Sequence, residues 1–479
     1  MLPTLSLVRP NLHLVEVDTR QMLFHVPTSS LFELDESSRA VMAMLHQHEK
    51  LTLPQIRLAL ADRYGAAVLD EIIAEFQSLD VITDGRPVRL NPEPKPVTTF
   101  PLTTVVLNVN TGCNLSCTYY YKEDLTTPSK GQKMAFDTAA ASIEMLLRES
   151  PNQPHYNVVF FGGEPLSNMP LIRQMVDYCE RRFAEIGKRV DFTLTTNATL
   201  LTPELVDYFN AHRFGLTVSI DGPKAMHDRN RLTVAGRGTY DVVRRKVDML
   251  LGRYTVRPIG ARVTLTRGVT DVETIFEHLH NEVGFQEVGF GPVTSGDNAA
   301  FNLTETEIVE VFEGMKRLGG RYLEAALQNR GFGFGNMHQL MTDLHEGNRK
   351  ALPCGAGVGL LAVDKDGGLN LCHRFTGSDL PLFGDVKAGI DKPRLAEFIE
   401  KRLDRSGTGC ETCRIRNICS GGCYHESYAR YEDPTHPSYH YCELLRDWVE
   451  FGLRSYARIS LDNPAFFDAY VSPRRSQGS

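Results

Sequence analysis

Three features that would place the chain at a membrane or on a nucleic acid are missing from its sequence. No apolar run approaches the roughly 18 residues of a membrane-spanning helix. The net charge is -7, so there is no excess of positive charge for phosphate. The N-terminus has no basic segment, and Pro3, Arg9 and Pro10 interrupt its apolar residues, which argues against a signal peptide. We expect a cytoplasmic protein that binds neither membrane nor nucleic acid.

The ten cysteines are clustered along the chain. In a secreted protein they would suggest disulfides, but clustered cysteines in a cytosolic protein are typical of metal or cofactor ligands. The 479 residues are too many for one ordinary core and predict two to four domains. Seven cysteines lie after residue 346, in a stretch rich in glycine and turns with few long periodic segments. That stretch is expected to bury little and to need metal to fold.

Residues 1–90 form a predicted N-terminal domain, with strands at 12–17 and 22–26 followed by three helices. Thr52 and Gln55 fit a capping box at the start of the middle helix. Strands followed by three helices suggest a winged-helix-like unit. Many such units bind DNA, but 8 Lys and Arg against 12 Asp and Glu would repel a phosphate backbone. Peptide binding by strand addition at a sheet edge is the better prediction.

After a proline-rich linker at 91–101, six strands alternate with helices up to residue 345. Such alternation predicts right-handed βαβ units and a parallel sheet. Six units are too few for a closed eight-stranded barrel, so we predict an α/β fold with a partial (β/α)6 barrel and a site at the carboxyl ends of its strands. Helix starts are predicted at Thr202, Thr270 and Thr304. The predicted strands are 102–109, 156–161, 191–195, 215–220, 260–265 and 287–290.

The loop at 111–121 follows the first barrel strand and contains Cys113 and Cys117. Tyr120 stands where the pattern would place a third cysteine. Three thiolates in one short loop can hold three irons of a four-iron cluster and leave the fourth iron open to a ligand. Two thiolates and a phenol are a poorer set, because the longer, rigid ring would displace the iron. We therefore expect an incomplete or labile cluster.

This loop resembles the Cys-x3-Cys-x2-Cys signature of radical S-adenosylmethionine (SAM) enzymes. Residues 162–165 (Gly-Gly-Glu-Pro), 219–222 (Ser-Ile-Asp-Gly) and 227–231 (His-Asp-x-x-Arg) follow strands in the order of that family's SAM-binding motifs. The resemblance implies a [4Fe–4S] SAM cluster, here with an incomplete ligand set, and SAM itself. The residues that it assigns to SAM binding are Tyr119, Gly162, Gly163, Glu164, Asn197, Ser219 and Arg231.

The resemblance also implies a role for most of these side chains. Tyr119 would pack beside the adenine, and Glu164 would receive the amino group. Ser219 and Arg231 would contact the ribose and the carboxylate of SAM, since arginine meets a carboxylate through two hydrogen bonds. The glycine pair would expose backbone for close approach of the ligand. A structural role is the alternative for Tyr119 and for Asn197.

The downstream cysteines resemble the SPASM extension, which binds auxiliary iron–sulfur clusters. It is expected at 346–450, before a C-terminal extension at 451–479. Taken alone, 410–423 could equally be a zinc site. His373 stands where related maturases can carry a proton acceptor, Asp297 has no stronger support, and Cys179 is expected in the core. The implied ligands are Cys410, Cys413, Cys419 and Cys442 for one cluster, and Cys354, Cys372 and Cys423, with an open or non-cysteine fourth position, for another.

A peptide-binding domain, a radical SAM barrel and a SPASM region together resemble maturases of ribosomally made peptides. The resemblance implies that the first domain grips a leader peptide and that SAM is cleaved to a 5′-deoxyadenosyl radical. The auxiliary clusters would accept an electron or hold the substrate thiolate, and a flavodoxin or ferredoxin would donate electrons. The stretches 24–35 and 121–124 resemble the branch that forms Cys-to-Asp or Cys-to-Glu thioether bridges in the small subunit of quinohemoprotein amine dehydrogenase.

Three alternatives stay open at this point. A sactipeptide-type maturase would join sulfur to an α-carbon and shares all the motifs. An anaerobic sulfatase maturase shares the barrel and the clusters, although the first 90 residues argue against it. A catalytically silent protein that binds a peptide and two auxiliary clusters is favoured by Tyr120. We expect a thioether-forming maturase in which Tyr120 impairs turnover.

Overall fold

The computed structural model describes residues 3–88, 90, 97–120, 131–294, 298, 300–438 and 440–471. Within these ranges no helix is both long enough and apolar enough to cross a membrane. Four predictions fall outside the described residues: the linker prolines at 91–96, the stretch 121–124, Asp297, and the polar tail after Val471.

The N-terminal unit contains two small sheets and three helices. One sheet has the order β5–β1–β6 and shares a core with the helices, whereas β2–β3–β4 is an antiparallel meander. The predicted first strand and the capping box of Thr52 with Gln55 are confirmed, and the second strand begins two residues earlier than predicted. The elements are β1 (Thr4–Leu7), β2 (Leu12–Val17), β3 (Arg20–His25), β4 (Ser30–Glu33), α1 (Glu36–Gln47), β5 (Leu51–Thr52), α2 (Leu53–Tyr64), α3 (Ala66–Ser78) and β6 (Ile82–Thr83).

The meander packs on both sides. Leu23 belongs to the core of the three helices, whereas Val15, Phe24 and Val26 belong to the large core of the remaining molecule. Alternate residues of a strand point to opposite faces, so one sheet can serve two cores. The N-terminal unit is therefore docked along β2 and β3.

The six predicted strands form a parallel sheet in the order β12–β11–β10–β9–β8–β7, which confirms the α/β partial barrel. Two strands that sequence analysis missed extend this sheet: β13 runs parallel to β7, and β14 is antiparallel to β13. The strands are β7 (Thr104–Asn110), β8 (His155–Gly162), β9 (Arg189–Thr196), β10 (Gly215–Ser219), β11 (Gly260–Leu265), β12 (Glu287–Pro292), β13 (Leu360–Val363) and β14 (Leu369–Asn370).

The two faces of this sheet differ in polarity. Phe160 and Phe192 stack on the face that the helices cover, together with Phe214, which packs against Phe209. The opposite face is more open to water and polar, and we call it the lumen. The connecting helices are α4 (Phe136–Glu149), α5 (Met169–Glu185), α6 (Pro203–Ala211), α7 (Lys224–Asn230), α8 (Tyr240–Arg253) and α9 (Val272–Phe276), which continues as a π-helix over Glu277–Val283.

Two of the three predicted helix starts in this region are confirmed. Thr202 accepts from the amide of Leu205, and Thr304 forms a capping box with Glu307. The prediction for Thr270 is wrong. Asp271, one residue later, caps α9 by accepting from the amide of Thr274 at 3.0 Å, because a carboxylate competes well for exposed helix amides.

The region after 346 contributes many residues to the core, which corrects the prediction that it buries little. Helix α15 has 21 residues, packs against two helices and β2, and runs unbroken through position 450, where a boundary was predicted. Its core residues include Trp448, Val449 and Leu453. The remaining elements are α10 (Glu305–Leu327), α11 (Gly335–His345), β15 (Gly384–Asp385), β16 (Gly389–Ile390), α12 (Lys392–Leu403), α13 (Arg416–Cys419), α14 (Tyr424–Tyr431) and α15 (Cys442–Asp462).

Candidate active site and cysteine clusters

The loop after β7 is tied to the carboxyl end of the sheet by its backbone. The amides of Ser116 and Thr118 donate to the carbonyls of Leu232 and Asn230, at 2.8 and 3.0 Å. The amide of Tyr120 donates to the carbonyl of Cys117 at 3.1 Å, which closes a turn at the end of the loop. The loop is therefore anchored at several points to the segment that follows α7.

The glycine pair after β8 makes room for this loop. A Cβ on Gly163 would lie 2.0 Å from the carbonyl oxygen of Gly112, and a Cβ on Gly162 would lie 2.2 Å from that of Asn110. The amides of Gly163 and Glu164 donate to the same two carbonyls, at 2.8 and 3.1 Å. Sequence analysis explained the glycines by close approach of a ligand, whereas the close approach seen here is that of the loop backbone.

Glu164 is almost completely buried, with 1% of its surface exposed. Its carboxylate accepts from the hydroxyl of Thr196 and the amide of Asn197, both at 2.8 Å, and from the amide of Leu166 at 3.1 Å. Burial raises the pKa of Glu164 to about 7, against the effect of these three donors. Carboxylate oxygens have about four acceptor positions, so capacity for one further donor, such as an ammonium group, remains.

A buried carboxylate joins the loop to the barrel. Asp221 accepts from the hydroxyl of Tyr119 at 2.7 Å, from two nitrogens of Arg231 at 2.7 and 3.1 Å, and from the amide of Thr264 at 2.9 Å. Arg231 also lies over the ring of Tyr119, 5.5 Å from its centroid. The geometry supports a structural role for both side chains, and their contacts with SAM stay predictions.

The other two predicted SAM contacts lie on neighbouring strand ends. The side-chain amide of Asn197 donates to Asn114 at 3.0 Å and lies 3.8 Å from the sulfur of Cys113, so it links the loop to the end of β9. Ser219 is half-buried at the end of β10, opposite Arg262 of β11. The loop, Glu164, Asn197 and Ser219 therefore meet at one end of the sheet, as predicted for a barrel site.

The seven downstream cysteines fall into two spatial groups. Burial, together with the nearby thiols of Cys423 and Cys354, raises the pKa of Cys372 to about 12. In the second group, burial together with the nearby thiols of Cys419, Cys410 and Cys413 raises the pKa of Cys442 to about 11. The members of each group belong to one of the two sets that the resemblance implies, and their role as cluster ligands stays a prediction. Cys179 is fully buried in α5, as expected for a core cysteine.

His373 lies beside the end of β8. Its ring centroid is 4.1 Å from that of Phe161, the residue before the glycine pair. The segment 372–376, which contains it, also reaches other strands. Thr376 accepts from the side-chain amide of Asn108 on β7, and Arg374 donates to Thr294 just after β12. This segment therefore crosses the lumen at the end that carries the loop.

Comparison with known proteins identifies the barrel. Residues 107–279 match the model of the Radical SAM superfamily. This region of the chain is therefore a radical SAM domain. The chain is 22% identical to the cysteine-type anaerobic sulfatase-maturating enzyme of Clostridium perfringens, over 73% of this chain and 96% of that protein.

Two solved structures share the fold. Native anSMEcpe with bound AdoMet has a TM-score of 0.64 and 20% identity, covering 76% of this chain and 100% of that one. SuiB of Streptococcus suis, bound to its precursor peptide SuiA, has a TM-score of 0.52 and 14% identity, covering 92% of this chain and 100% of that one. Radical SAM enzymes use a [4Fe–4S] cluster and SAM, and the cysteine-rich C-terminal region fits a SPASM domain. The auxiliary clusters stay a prediction.

The ligand set for a radical SAM cluster is incomplete in this chain. Burial raises the pKa of Cys113 to about 12 and also raises that of Cys117, so binding of metal must displace both thiol protons. The third position has the hydroxyl of Tyr120, which donates to the carbonyl of Gly162 at 3.3 Å. Across the described residues, no three His, Cys, Asp or Glu side chains are already arranged to hold a metal ion. Two thiols fit the cluster and the phenol does not.

Sequence analysis missed two residues of the lumen and the carboxylate of Asp221. Arg262 stands in the middle of β11, and Arg374 follows His373 by one position. The available signal was an arginine inside a strand whose other residues are small or apolar. An arginine in such a strand has to meet water or an anionic group on the lumen side.

Proposed function

We propose that this radical SAM enzyme is a peptide maturase of the thioether-forming branch, with the small subunit of quinohemoprotein amine dehydrogenase as its substrate, and that Tyr120 impairs its turnover. The observation that carries the proposal is the extent of the fold match. The structural match to peptide-bound SuiB covers 92% of the chain. Residues 91–479 alone are a smaller share of the chain than that, so the match includes part of the N-terminal unit. That unit is the part proposed to bind the leader peptide.

The meander offers a strand edge for such a peptide. Strand β4 pairs with β3, and no described strand pairs with its other edge. Phe32 on β4 is 39% exposed, so an apolar side chain is available beside that edge. An extended peptide can add to an open edge through its backbone hydrogen bonds. We assign the leader to β4.

The bridge itself requires a base. Each thioether would replace one C–H bond and one S–H bond by a C–S bond. Bound SAM would supply the radical that takes the hydrogen atom, and an auxiliary cluster would supply the acceptor for the remaining electron. The thiol proton would go to a base of this chain. His373 is the proposed base, because it stands beside Phe161 at the end of the lumen where the loop lies. Cys354, Cys372 and Cys423 are proposed to hold the nearer auxiliary cluster, and Cys410, Cys413, Cys419 and Cys442 the other.

The test is a comparison of the chain as it stands with its Tyr120→Cys variant after anaerobic reconstitution. We expect SAM cleavage to 5′-deoxyadenosine, and loss of two hydrogens per bridge in the substrate, from the cysteine variant and little of either from the tyrosine form. Iron, sulfide and 5′-deoxyadenosine are measured together, with Tyr64→Cys as the control for an added thiol elsewhere. Equal, robust cleavage by both forms would show that Tyr120 does not impair the site.

A second candidate function is maturation of an anaerobic sulfatase. It is favoured by the sequence match, which spans 96% of the Clostridium perfringens enzyme. The same Tyr120→Cys variant separates the two candidates when it is given a cysteine-containing sulfatase peptide. Conversion of that cysteine without a bridge to an acidic residue would favour the sulfatase activity.

A further inference from the structure

Arg262 projects into the lumen from the middle of β11, the second strand from one edge of the sheet. It pairs in register with Ser219 of β10 and Gly289 of β12. A Cβ on Gly291 would lie 2.3 Å from one of its terminal nitrogens, so the absence of a side chain there makes room for the guanidinium. The glycine of the neighbouring strand therefore leaves space for the arginine side chain.

The charge of Arg262 has no anionic partner among the described residues. Its one direct hydrogen bond is a long contact of 3.4 Å to the carbonyl of Phe290. Arg262 is exposed to the lumen, and desolvation by the surrounding protein, followed by the charge of Arg374, lowers the pKa of its guanidinium. An exposed guanidinium with no anionic partner is available to bind a carboxylate from solution, and a second cation nearby strengthens that attraction.

Arg374 brings this second charge from the segment that crosses the lumen. It is held by Thr294 and follows His373, the proposed base, directly. The lumen at this point therefore has two positive charges next to the proposed base.

We propose that Arg262 and Arg374 form a subsite for a carboxylate, and that the acidic side chain to be bridged in the substrate occupies it. Arginine suits this task because its planar group meets a carboxylate through two parallel hydrogen bonds. The inference rests on the proposed function and adds to it that the acidic residue is recognised by its charge. The carboxylate of SAM is the other source of the same chemistry, and the test separates the two.

The experiment uses the full chain as it stands, without a reductant, so that no turnover disturbs the binding equilibrium. The probe is the unmodified small subunit of quinohemoprotein amine dehydrogenase with a fluorescent label. Its acidic form is compared with an amide form, in which the Asp and Glu residues that are bridged are changed to Asn and Gln. We expect the acidic form to bind about tenfold more tightly, the size of one charge-assisted hydrogen bond.

Arg262→Gln should remove this preference, and Arg262→Lys should keep part of it. Arg257→Gln, on the approach to the other end of β11, should keep all of it. Equal binding of both forms to the unchanged chain overturns the subsite but leaves the proposed function standing. Binding of neither form removes the proposed function, and the subsite with it.

A second arm measures the affinity for SAM in the reconstituted Tyr120→Cys variant, with and without Arg262→Gln. We expect the SAM affinity to be unchanged. A loss of about tenfold or more, with the substrate preference intact, would assign the arginine to the cofactor and overturn the substrate subsite.

Discussion

The carboxylate of Asp221 connects the cysteine-containing loop to the barrel. Its two oxygens receive four hydrogen bonds, from Tyr119, Arg231 and the backbone of Thr264. None of its surface is exposed, and 7% of that of Arg231 is. The pair is therefore shielded from salt and water, and each charge depends on the other.

Removal of one charge from this pair should be strongly destabilising. Asp221→Asn leaves Arg231 buried with no counter-charge, and we expect a loss of about 3–5 kcal/mol in the free energy of unfolding. Tyr119→Phe removes one hydrogen bond and should cost about 1 kcal/mol. Both are measured from the midpoint of urea unfolding.

Asp241→Asn is the matched control, because Asp241 is an exposed aspartate paired with Lys224 and should contribute close to nothing measurable. If Asp221→Asn and Asp241→Asn unfold at the same urea concentration, the buried pair is not the anchor of the loop.

At the scale of elements, the loop after β7 and the turn after β8 depend on each other. The glycine pair lets the two backbones touch, and two amides of the turn donate to two carbonyls of the loop. The Gly-Gly-Glu-Pro motif, whose sequence resembles a ligand-binding turn, therefore also allows the turn and the loop to pack closely. The loop that carries Cys113 is positioned by the strand beside it.

Gly163→Ala should loosen the loop. The added Cβ would lie 2.0 Å from the carbonyl oxygen of Gly112, and backbone on both sides leaves little room to adjust. We expect alkylation of Cys113, which is 7% exposed, to become about tenfold faster, corresponding to roughly 1.4 kcal/mol less for opening the loop. The measurement is site-resolved mass spectrometry of labelled thiols.

Gly252→Ala provides the control, because its Cβ would meet nothing within 4 Å and alanine suits a helix better than glycine. An unchanged labelling rate of Cys113 in Gly163→Ala would mean that the turn yields to the extra carbon without moving the loop.

The sequence predicted these elements correctly where a short local pattern of residues determines the structure. The six barrel strands have apolar runs bounded by turns, and Thr52, Thr202 and Thr304 have capping chemistry that depends on three or four neighbouring residues. Strands β13 and β14 were missed because they are short and lie between glycines, and because β7, the strand that β13 joins, is more than 200 residues away. Arg262 was not predicted as a site residue because the apolar pattern of a strand does not show which groups face its exposed side.

At the scale of the molecule, the cysteine-rich region is joined to the N-terminal unit. Arg416, between Cys413 and Cys419, donates to the carbonyl of Pro10 at 2.6 Å and to the side chain of Asn11 at 2.9 Å. The arginine is 2% exposed. No sequence pattern predicts a contact between residues 406 positions apart, because such a contact depends on how two folded units pack against each other.

Further contacts support the same interface. The side chain of Asn417 donates to the carbonyl of Val26 at 2.8 Å. Glu450 on α15 pairs with His13, and Arg458 on the same helix pairs with Asp18. The interface thus joins the meander both to the residues around the cysteines and to the long C-terminal helix. A peptide held at β4 would be coupled mechanically to the SPASM region.

Arg416→Gln tests this coupling. A shorter neutral side chain cannot span Pro10, Asn11 and the carbonyl of Leu90, so the N-terminal unit should detach more often. We expect faster hydrogen–deuterium exchange in β2 and β3, by about tenfold or more, since the loss of buried charged hydrogen bonds exceeds 1.4 kcal/mol. Exchange in β8 and β9 should not change.

Arg394→Gln is the matched control, because Arg394 is exposed on α12 and bonds within the C-terminal region. If both variants leave exchange in β2 and β3 unchanged, the pairs of Glu450 and Arg458 hold the unit without help from Arg416. If Arg416→Gln speeds exchange there and also in α13, between Cys413 and Cys419, the N-terminal unit and the cysteine-rich region open as one cooperative unit. In that case, occupancy of either site would stabilise the other, because both would depend on the same closed interface.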